Sequence, residues 1–472
     1  MTSVVNAAAS GRRPRADAGG AVAAPRRRAL ARLLSAAVFS ALVAILPLAV
    51  APYGSVEPWW TALFDASVFL LAALWAVEGA LAGRWFSRAH FVTLPALLLA
   101  ALALFQSVPL PGVGAISFDP YETRLVAARI LAAALYCALL LRYTDTERRL
   151  RTVVYAVVLT GLASALFGII RQTAQRGEQG FVLQYLAPGS GYAQFINKNH
   201  FAYLAEMSLG LLLGLAAGRG VARRKILIPL ALAVPVWAAL VLSNSRGGVL
   251  AMLCQVVLLG ATFGAARRSD ASAGVDPSAA SRIAASPVAR VGLVALLLLL
   301  IVVGMVWVGG DPLADRMSSV GGEVMAQGPD PTRTGRAEIW KATWGMFKDH
   351  PVAGTGLGGY WIAISSYHNA SGVSVPQQAH NDYLELLASG GIIGFALVIS
   401  FIYLFSKRAR ARLLVGTPFA RAAALGALAG LFGVAVHSLV EFGLHVTANA
   451  LAAAALVAVA SGEAGAPDEP KN

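Results

Sequence analysis

A polar segment between two long apolar stretches ends with the sequence Ala379-His380-Asn381-Asp382-Tyr383-Leu384-Glu385-Leu386-Leu387. The segment begins near Gly310 and contains His350, His368 and His380, which are three of the seven histidines of the chain. A segment of this polarity cannot cross a bilayer, because its backbone and ionised side chains would find no partners in hydrocarbon. We therefore expect it to lie in water at one face of a membrane.

The overall composition predicts a membrane protein with several spans. The chain has 472 residues, of which 57% are hydrophobic and only 13% are charged, far from the usual mix of a soluble domain. The formal net charge of +14 is interpreted as basic residues that anchor cytoplasmic loops, and nucleic acid is excluded as a partner. Cys137 and Cys254 both lie in apolar runs and predict neither a disulfide framework nor a metal site.

Apolar runs of spanning length predict an all-α polytopic membrane protein with about twelve transmembrane helices. The runs lie near 31–51, 61–82, 91–108, 124–142, 152–170, 200–217, 226–243, 247–265, 290–309, 382–405, 418–437 and 446–461. This pattern places helices 1 to 9 within 31–309, a large loop with an amphipathic helix at 310–381, and helices 10 to 12 within 382–461. Residues 1–30 are predicted to be a disordered basic tail, and 462–472 a second cytoplasmic tail.

The distribution of Lys and Arg predicts the orientation of the helices. If the N-terminus lies inside, the basic clusters near Arg84, Arg148, Arg224, Arg268 and Arg410 all fall in inner loops. The short outer loops at 52–60 and 438–445 then contain no Lys or Arg, as the positive-inside rule requires. Both termini are therefore predicted to be cytoplasmic. The outer face would carry loop 171–199, the turn 243–248, the segment 310–380 and the turn 437–445.

Two arginines on the predicted outer face are candidate ligands for an anion. Arg246 lies between two apolar runs and precedes Gly247 and Gly248, so its guanidinium and the amides of a helix N-terminus could converge on one anion. The alternative is an arginine that snorkels to the membrane interface. Arg336 lies in a predicted amphipathic helix on the membrane surface, where the alternatives are a solvated charge and a local ion pair with Glu338.

His380 is a candidate general base. It precedes the start of a predicted helix, and Asn381 and Asp382 follow it as candidates for the helix cap. Histidine at a position that solvent can reach suits the removal of a proton from a hydroxyl group. The alternative is a histidine that only caps or packs.

An ordered set of motifs resembles the O-antigen ligase and polymerase superfamily of bacterial envelope glycosyltransferases. The resemblance covers roughly residues 150–460 and rests on Asn197-Lys198-Asn199-His200-Phe201-Ala202, Ser245-Arg246-Gly247-Gly248, Gly335-Arg336-Ala337-Glu338-Ile339-Trp340, Gly354-Thr355-Gly356-Leu357-Gly358 and His380-Asn381-Asp382-Tyr383-Leu384-Glu385. It implies transfer of a glycan from undecaprenyl diphosphate to an acceptor hydroxyl at the periplasmic face of the bacterial inner membrane. The partners implied are this lipid-linked glycan, a lipid or glycan acceptor and membrane lipids.

The resemblance also implies roles for individual residues and no cofactor or metal. Arg246 and Arg336 would bind the donor diphosphate, and His380 would activate the acceptor. The supporting candidates are Asn197, Lys198, Asn199, Asp382, Tyr383, His437 and Glu441. A diphosphate leaving group needs its developing charge stabilised by a metal or by arginines, and the outer segments contain no Asp-x-Asp pair, so arginines are expected to supply this charge. Direct displacement would invert the anomeric configuration.

Three alternatives remain open from the sequence. A polymerase of O-antigen or exopolysaccharide would join repeat units to one another, whereas a ligase of lipopolysaccharide biosynthesis joins them to a lipid core. A glycolipid transporter would use an ionisable residue within the membrane, and Glu206 is the candidate for that role. The structural alternative for Glu206 is a buried partner of an arginine. Finally, His437, Glu441 and His445 recur at every fourth residue and would bind zinc if they shared a helix face, although Gly443 and the outer turn are expected to break that helix.

Overall fold

The computed structural model describes residues 18–85, 87–112, 114–175, 191–271, 336–368 and 375–463. Within these ranges the regular structure is helical. The helices are α1 (Ala18–Val50), α2 (Pro58–Ala82), α3 (Leu94–Gln106), α4 (Pro120–Tyr143), α5 (Glu147–Gln175), α6 (Lys198–Ala217), α7 (Leu227–Leu242), α8 (Arg246–Ala271), α9 (Arg336–Asp349), α10 (Asp382–Val415), α11 (Pro418–His437) and α12 (Thr447–Ser461). Short helical turns lie at Arg88–Thr93, Arg223–Lys225, Tyr360–Ala363, Ile364–Ser366 and Gly443–His445.

The apolar helices coincide with the predicted spans. Eight of them are long and apolar enough to cross a membrane, and α7, α12 and the first part of α8 are shorter apolar helices. Together they occupy every predicted position except 290–309, which lies outside the described residues. In a helix every interior backbone group bonds within its own segment, which explains why apolar runs of this length adopt this structure.

The structure differs from the prediction at the N-terminus. Helix α1 begins at Ala18, so the predicted disorder of residues 1–30 is wrong for 18–30, while 1–17 lie outside the described residues. Alanine and arginine are both good helix formers, and the apolar run that follows supplies a helix for them to extend. The arginines at 26–28 and Arg32 therefore lie within the first half of α1.

Helices α6 and α11 cross the centre of the bundle side by side in opposite directions. Gly210 and Gly214 of α6 face Gly430 and Gly426 of α11 so closely that a Cβ atom on either glycine of α6 would overlap the backbone of α11. Small residues of this kind let two membrane helices approach to backbone contact. This packing places the N-terminus of α6 beside the C-terminus of α11.

The polar segment is bound to the bundle by α9 and by a glycine-rich turn. Helix α9 buries Ile339, Ala342, Thr343 and Met346. In the turn at 354–359, the backbone N–H of Thr355 donates to the carbonyl of Ala388 at 3.0 Å, and the N–H of Leu357 donates to Oε1 of Gln106 at 3.1 Å. Gly354 and Gly356 have φ angles of +69° and +96°, which glycine adopts without strain. The described part of the segment therefore has a fixed position over α3 and α10.

Contacts between helix ends show which parts of the bundle share an end. The backbone N–H of Ala448 at the start of α12 donates to the carbonyl of Gly54 between α1 and α2, and Arg171 near the end of α5 donates to the carbonyl of Ala193 before α6. The loop 438–446, the N-terminus of α6 and the start of α2 therefore lie at one end. The N-terminal turns of α1 and α5 lie at the other.

Candidate active site

Glu441 lies at the centre of a polar cluster in the loop that follows α11. Its side chain is only 2% exposed. Oε1 accepts hydrogen bonds from Nη2 of Arg336 at 2.6 Å and from Nδ2 of Asn199 at 2.7 Å. Oε2 lies 3.3 Å from Nδ1 of His380. One carboxylate thus brings together the start of α6, the start of α9 and the residue that precedes the cap of α10.

His380 is held at this position by its backbone and by its ring. Its φ angle of +51° is unusual for a residue with a side chain. The next residue, Asn381, caps α10 because its Oδ1 accepts from the N–H of Leu384 at 3.0 Å. The side chain of His380 is 34% exposed. Its ring packs on Phe442 in a T-shaped arrangement with a centroid distance of 4.9 Å. Solvent can therefore reach a histidine whose orientation is fixed.

Phe442 contacts three histidines from three parts of the chain. Its ring centroid lies 5.1 Å from that of His200, 4.9 Å from that of His380 and 6.0 Å from that of His445. All three contacts have nearly perpendicular planes, which is the favoured geometry for aromatic rings. Phe442 supplies an apolar wall beside the polar cluster.

The pKa of Glu441 shows the balance of forces in the cluster. Burial raises the pKa of this carboxyl, but the hydrogen bond with His380 and the positive charge of Arg336 outweigh burial, so the pKa lies below its ordinary value. Glu441 is therefore ionised at neutral pH. Its negative charge is the reason that a histidine and an arginine can share one acceptor.

A second carboxylate–histidine pair lies in the interior of the bundle. Nδ1 of His437 at the end of α11 lies 2.7 Å from Oε1 of Glu206 in α6, and both side chains are fully buried. The ring of Tyr203 stacks on His437 with a centroid distance of 4.4 Å. The prediction that Glu206 is the partner of an arginine is wrong, since its partner is this histidine.

The predicted zinc arrangement of His437, Glu441 and His445 is not formed. Helix α11 ends at His437, Glu441 lies in the following loop, and His445 lies in the helical turn Gly443–His445. The three side chains have different partners, since Nε2 of His445 lies 3.4 Å from Oδ1 of Asp382. Helix α11 ends six residues before Gly443, in the predicted outer turn, so the regular spacing cannot bring the three ligands onto one face.

The turn before α8 brings the first residues of that helix against the end of α11. Oγ of Ser245 accepts from the N–H of Gly248 at 3.2 Å and so caps the helix. A Cβ atom on Gly247 would lie 2.5 Å from the ring of His437, so only glycine lets the helix approach this closely. Arg246 is the exposed first residue of α8. The residues Ser245, Gly247 and Gly248 thereby hold the N-terminus of α8 against the end of α11.

The remaining supporting candidates divide into two groups. Asn199 is part of the cluster, and Asn197 and Lys198 stand beside it at the start of α6, where Oδ1 of Asn197 accepts from the N–H of Asn199 at 2.9 Å. Asp382 and Tyr383 begin α10 instead. The N–H of Asp382 donates to the carbonyl of Ser438 at 2.9 Å, and the hydroxyl of Tyr383 donates to the carbonyl of Ala435 at 2.7 Å. These contacts attach α10 to the end of α11.

Two features of the cluster were not found from the sequence. The ion pair of Arg336 with Glu441 replaces the predicted alternative of a local pair with Glu338. Phe442 was not predicted at all, because a single phenylalanine next to a glycine carries no periodic signal. Its position directly after Glu441 was the one indication available.

Part of the chain is similar to a known family. Residues 230–399 match the family model described as O-antigen ligase. The match includes Arg246, Arg336 and His380, but it ends before Glu441 and begins after Asn199. A search of curated proteins finds no match.

Proposed function

We propose, from the premise that residues 230–399 form a domain of the O-antigen ligase superfamily, that the protein is a glycosyltransferase of the ligase type. It would move a glycan from undecaprenyl diphosphate to an acceptor hydroxyl at the periplasmic face of the inner membrane. The observation that carries the proposal is the hydrogen bonding of Arg336, Asn199 and His380 to the one carboxylate of Glu441. A cation and a candidate base are thereby held side by side at a surface that solvent reaches.

His380 is proposed as the general base. If Nδ1 carries the proton of the neutral ring and donates a hydrogen bond to the ionised Glu441, the lone pair of the ring lies on Nε2. That nitrogen would take the proton of the acceptor hydroxyl as the acceptor oxygen attacks the anomeric carbon. The bond from this carbon to the diphosphate oxygen breaks at the same time, and undecaprenyl diphosphate leaves with the electron pair. A single displacement of this kind inverts the anomeric configuration.

Arg336 and Arg246 are proposed to stabilise the leaving diphosphate without a metal. The side chain of Arg336 is 40% exposed although one nitrogen binds Glu441, so the rest of its guanidinium is available to phosphate oxygens. Arg246 adds a second guanidinium at the N-terminus of α8, where backbone N–H groups also favour an anion. Glu441 would orient the guanidinium of Arg336. Arg246 would bind the negatively charged diphosphate with its own guanidinium.

The two other predicted functions use the same site differently. A polymerase would run the same reaction with another repeat unit as acceptor, so the acceptor alone distinguishes it from a ligase. The transporter alternative depends on Glu206, which is fully buried and hydrogen-bonded to His437. This contact supports a role for Glu206 in holding α6 and α11 together, and we favour the transferase.

The test of the proposal is glycan transfer by the purified protein in liposomes with a purified lipid-linked donor. We expect His380→Gln to lower the turnover number by about 10²–10⁴-fold, the usual contribution of a general base. His445→Gln is the matched control, since His445 is a 47% exposed histidine that also contacts Phe442. Transfer by His380→Gln at the wild-type rate, in protein present at the normal level, would refute the role of His380.

A further inference from the structure

A cavity of about 900 Å³ lies at the end of the bundle opposite to Glu441. It is formed by the middle of α1, the end of α2, the end of α4 and the start of α5. Six arginines line it: Arg28, Arg32, Arg84, Arg142, Arg148 and Arg149. The sequence explained these residues only as signals of orientation, which does not account for their arrangement around one concave space.

The lining of the cavity is strongly cationic. Its carboxylates are Glu78, which binds Arg142 at 3.1 Å, and Asp145, which binds Arg149 at 3.3 Å. Six arginines against two carboxylates leave a net charge of +4. The other four arginines are exposed and form no ion pair with any residue in the described ranges. A concave surface lined mainly by positive charges attracts an anion more strongly than separate charges on a flat surface.

The walls of the cavity are built before any ligand binds. The side chain of Arg142 is only 9% exposed and also donates to the carbonyl of Arg84 at 3.4 Å. Arg149 donates to Oγ of Ser35 at 3.1 Å and lies over the ring of Phe39 at 4.9 Å. Arginines fixed in this way lose little freedom when they bind a ligand. The paired arginines thus shape the cavity, and the unpaired ones remain available to a phosphate group.

The depth of the cavity indicates a lipid. The lining residues of α1 extend from Arg28 to Ser40, which is about 18 Å along the helix axis. Arg28 and Arg32 line the cavity from the earlier part of α1, whereas Ala36 and Phe39 line it one to two turns further along the same helix. Leu33, next to Arg32, is 68% exposed on the outside of α1. A headgroup beside the arginines and an acyl chain along the apolar residues would match this order.

We propose that this cavity binds the phosphate-bearing headgroup of an anionic membrane lipid. The lipid would occupy a specific position between α1, α2, α4 and α5, separate from the Glu441 cluster and independent of its chemistry. Phosphate is the shared chemistry of a lipid headgroup and of the free ion, so the test must distinguish these two sources.

The test compares two triple variants of the full-length protein. Arg28→Gln, Arg32→Gln and Arg148→Gln together remove three cavity charges that form no ion pair in the described ranges. The control is Arg224→Gln, Lys225→Gln and Arg421→Gln, which removes three exposed charges that do not line the cavity. Native mass spectrometry of purified protein, titrated with phosphatidylglycerol against a background of phosphatidylcholine, measures the dissociation constant. Both variants must keep the melting temperature of the wild type, which shows that they are folded. If a triple variant does not, its three substitutions are tested one at a time.

We expect about 100-fold weaker binding of phosphatidylglycerol by the cavity variant, since each of the three arginines contributes roughly a factor of five near a lipid headgroup. The control variant should stay within about threefold of the wild type. Equal weakening in both variants would show general attraction to the surface and overturn the proposal. Displacement of the lipid by inorganic phosphate, but not by chloride of equal ionic strength, would identify the free ion as the occupant and overturn the assignment to a lipid.

Discussion

Two carboxylate–histidine pairs lie close together in this protein, and they differ in their access to water. Glu441 and His380 share their cluster with Arg336 and Asn199, and 34% of the histidine side chain is exposed. Glu206 and His437 have the shorter contact, 2.7 Å against 3.3 Å, but neither is exposed at all. The residue types are the same in both pairs. The comparison teaches that the surroundings, rather than the pair itself, decide which one can do chemistry.

Exposure matters for catalysis because the base must reach the substrate and exchange a proton with it. A base must meet the hydroxyl from which it takes a proton, within hydrogen-bond distance or through one water. His380 can meet an acceptor from solvent, whereas the stacked ring of Tyr203 covers His437. A buried pair stabilises the fold only while both partners are present, because removal of one leaves the other without a partner in an apolar interior. We therefore propose catalysis for the exposed pair and helix packing for the buried one.

The largest fall in turnover is expected when Glu441 is replaced. In Glu441→Gln the amide oxygen can accept from Arg336 while the amide NH2 group faces Nδ1 of His380. The neutral histidine is then expected to carry its proton on Nε2, the nitrogen that should act as the base. We expect the turnover number to fall by about 10²–10⁴-fold, the whole contribution of general-base catalysis. The measurement is glycan transfer in liposomes at saturating donor.

The control for this variant is Glu338→Gln, which removes an exposed carboxylate from the same helix as Arg336. It should leave turnover unchanged. If Glu441→Gln retains the wild-type turnover number, Glu441 does not orient the base, and the exposed pair loses its distinction from the buried one.

A smaller effect is expected from the two arginines. Arg246→Lys and Arg336→Lys keep the charge but lose the planar fork that binds two phosphate oxygens. Each substitution should lower turnover by about 10–100-fold, from the loss of roughly 1.5–3 kcal/mol in a charge-assisted hydrogen bond. Arg124→Lys is the control, since Arg124 is an exposed arginine whose Nε donates to the carbonyl of Pro120 at 3.1 Å on the same helix turn.

The same assay carried out with a chelator sharpens the role of the arginines. Wild-type turnover that survives chelation, together with the loss in both lysine variants, would support arginine as the source of positive charge. Near-normal turnover in Arg246→Lys would indicate an arginine that only reaches the membrane interface.

The smallest effect on turnover is expected from the buried pair. Glu206→Gln keeps the shape of the side chain but weakens the bond to His437, so the protein should lose stability of about 1–3 kcal/mol. Turnover per folded molecule should remain within about threefold of the wild type. Thermal unfolding in detergent measures the first quantity and the liposome assay the second. A fall in turnover as large as that of Glu441→Gln, with unchanged stability, would contradict the assignment of the buried pair to packing.

The sequence by itself determined the helical class, the position of the apolar helices and the identity of three candidate residues. Hydropathy is a local property, so runs of apolar residues predicted helices that the structure confirms at every described position. Arg246, Arg336 and His380 stood out because each is a functional residue type beside a predicted helix end. The predicted disorder of 18–30 was wrong, because a composition rich in Ala and Arg also suits the first turns of a helix.

Only the tertiary structure decided that Glu441 is the common partner of the site. Glu441 lies 242 residues from Asn199, 105 from Arg336 and 61 from His380 along the chain. No periodic pattern spans such distances, and the regular spacing of His437, Glu441 and His445 suggested the wrong group of residues. Their different partners follow from the end of α11 at His437, and the close packing of α6 on α11 brings Asn199 to Glu441. Local sequence determines which segments become helices, whereas the meeting of their ends depends on how all the helices pack.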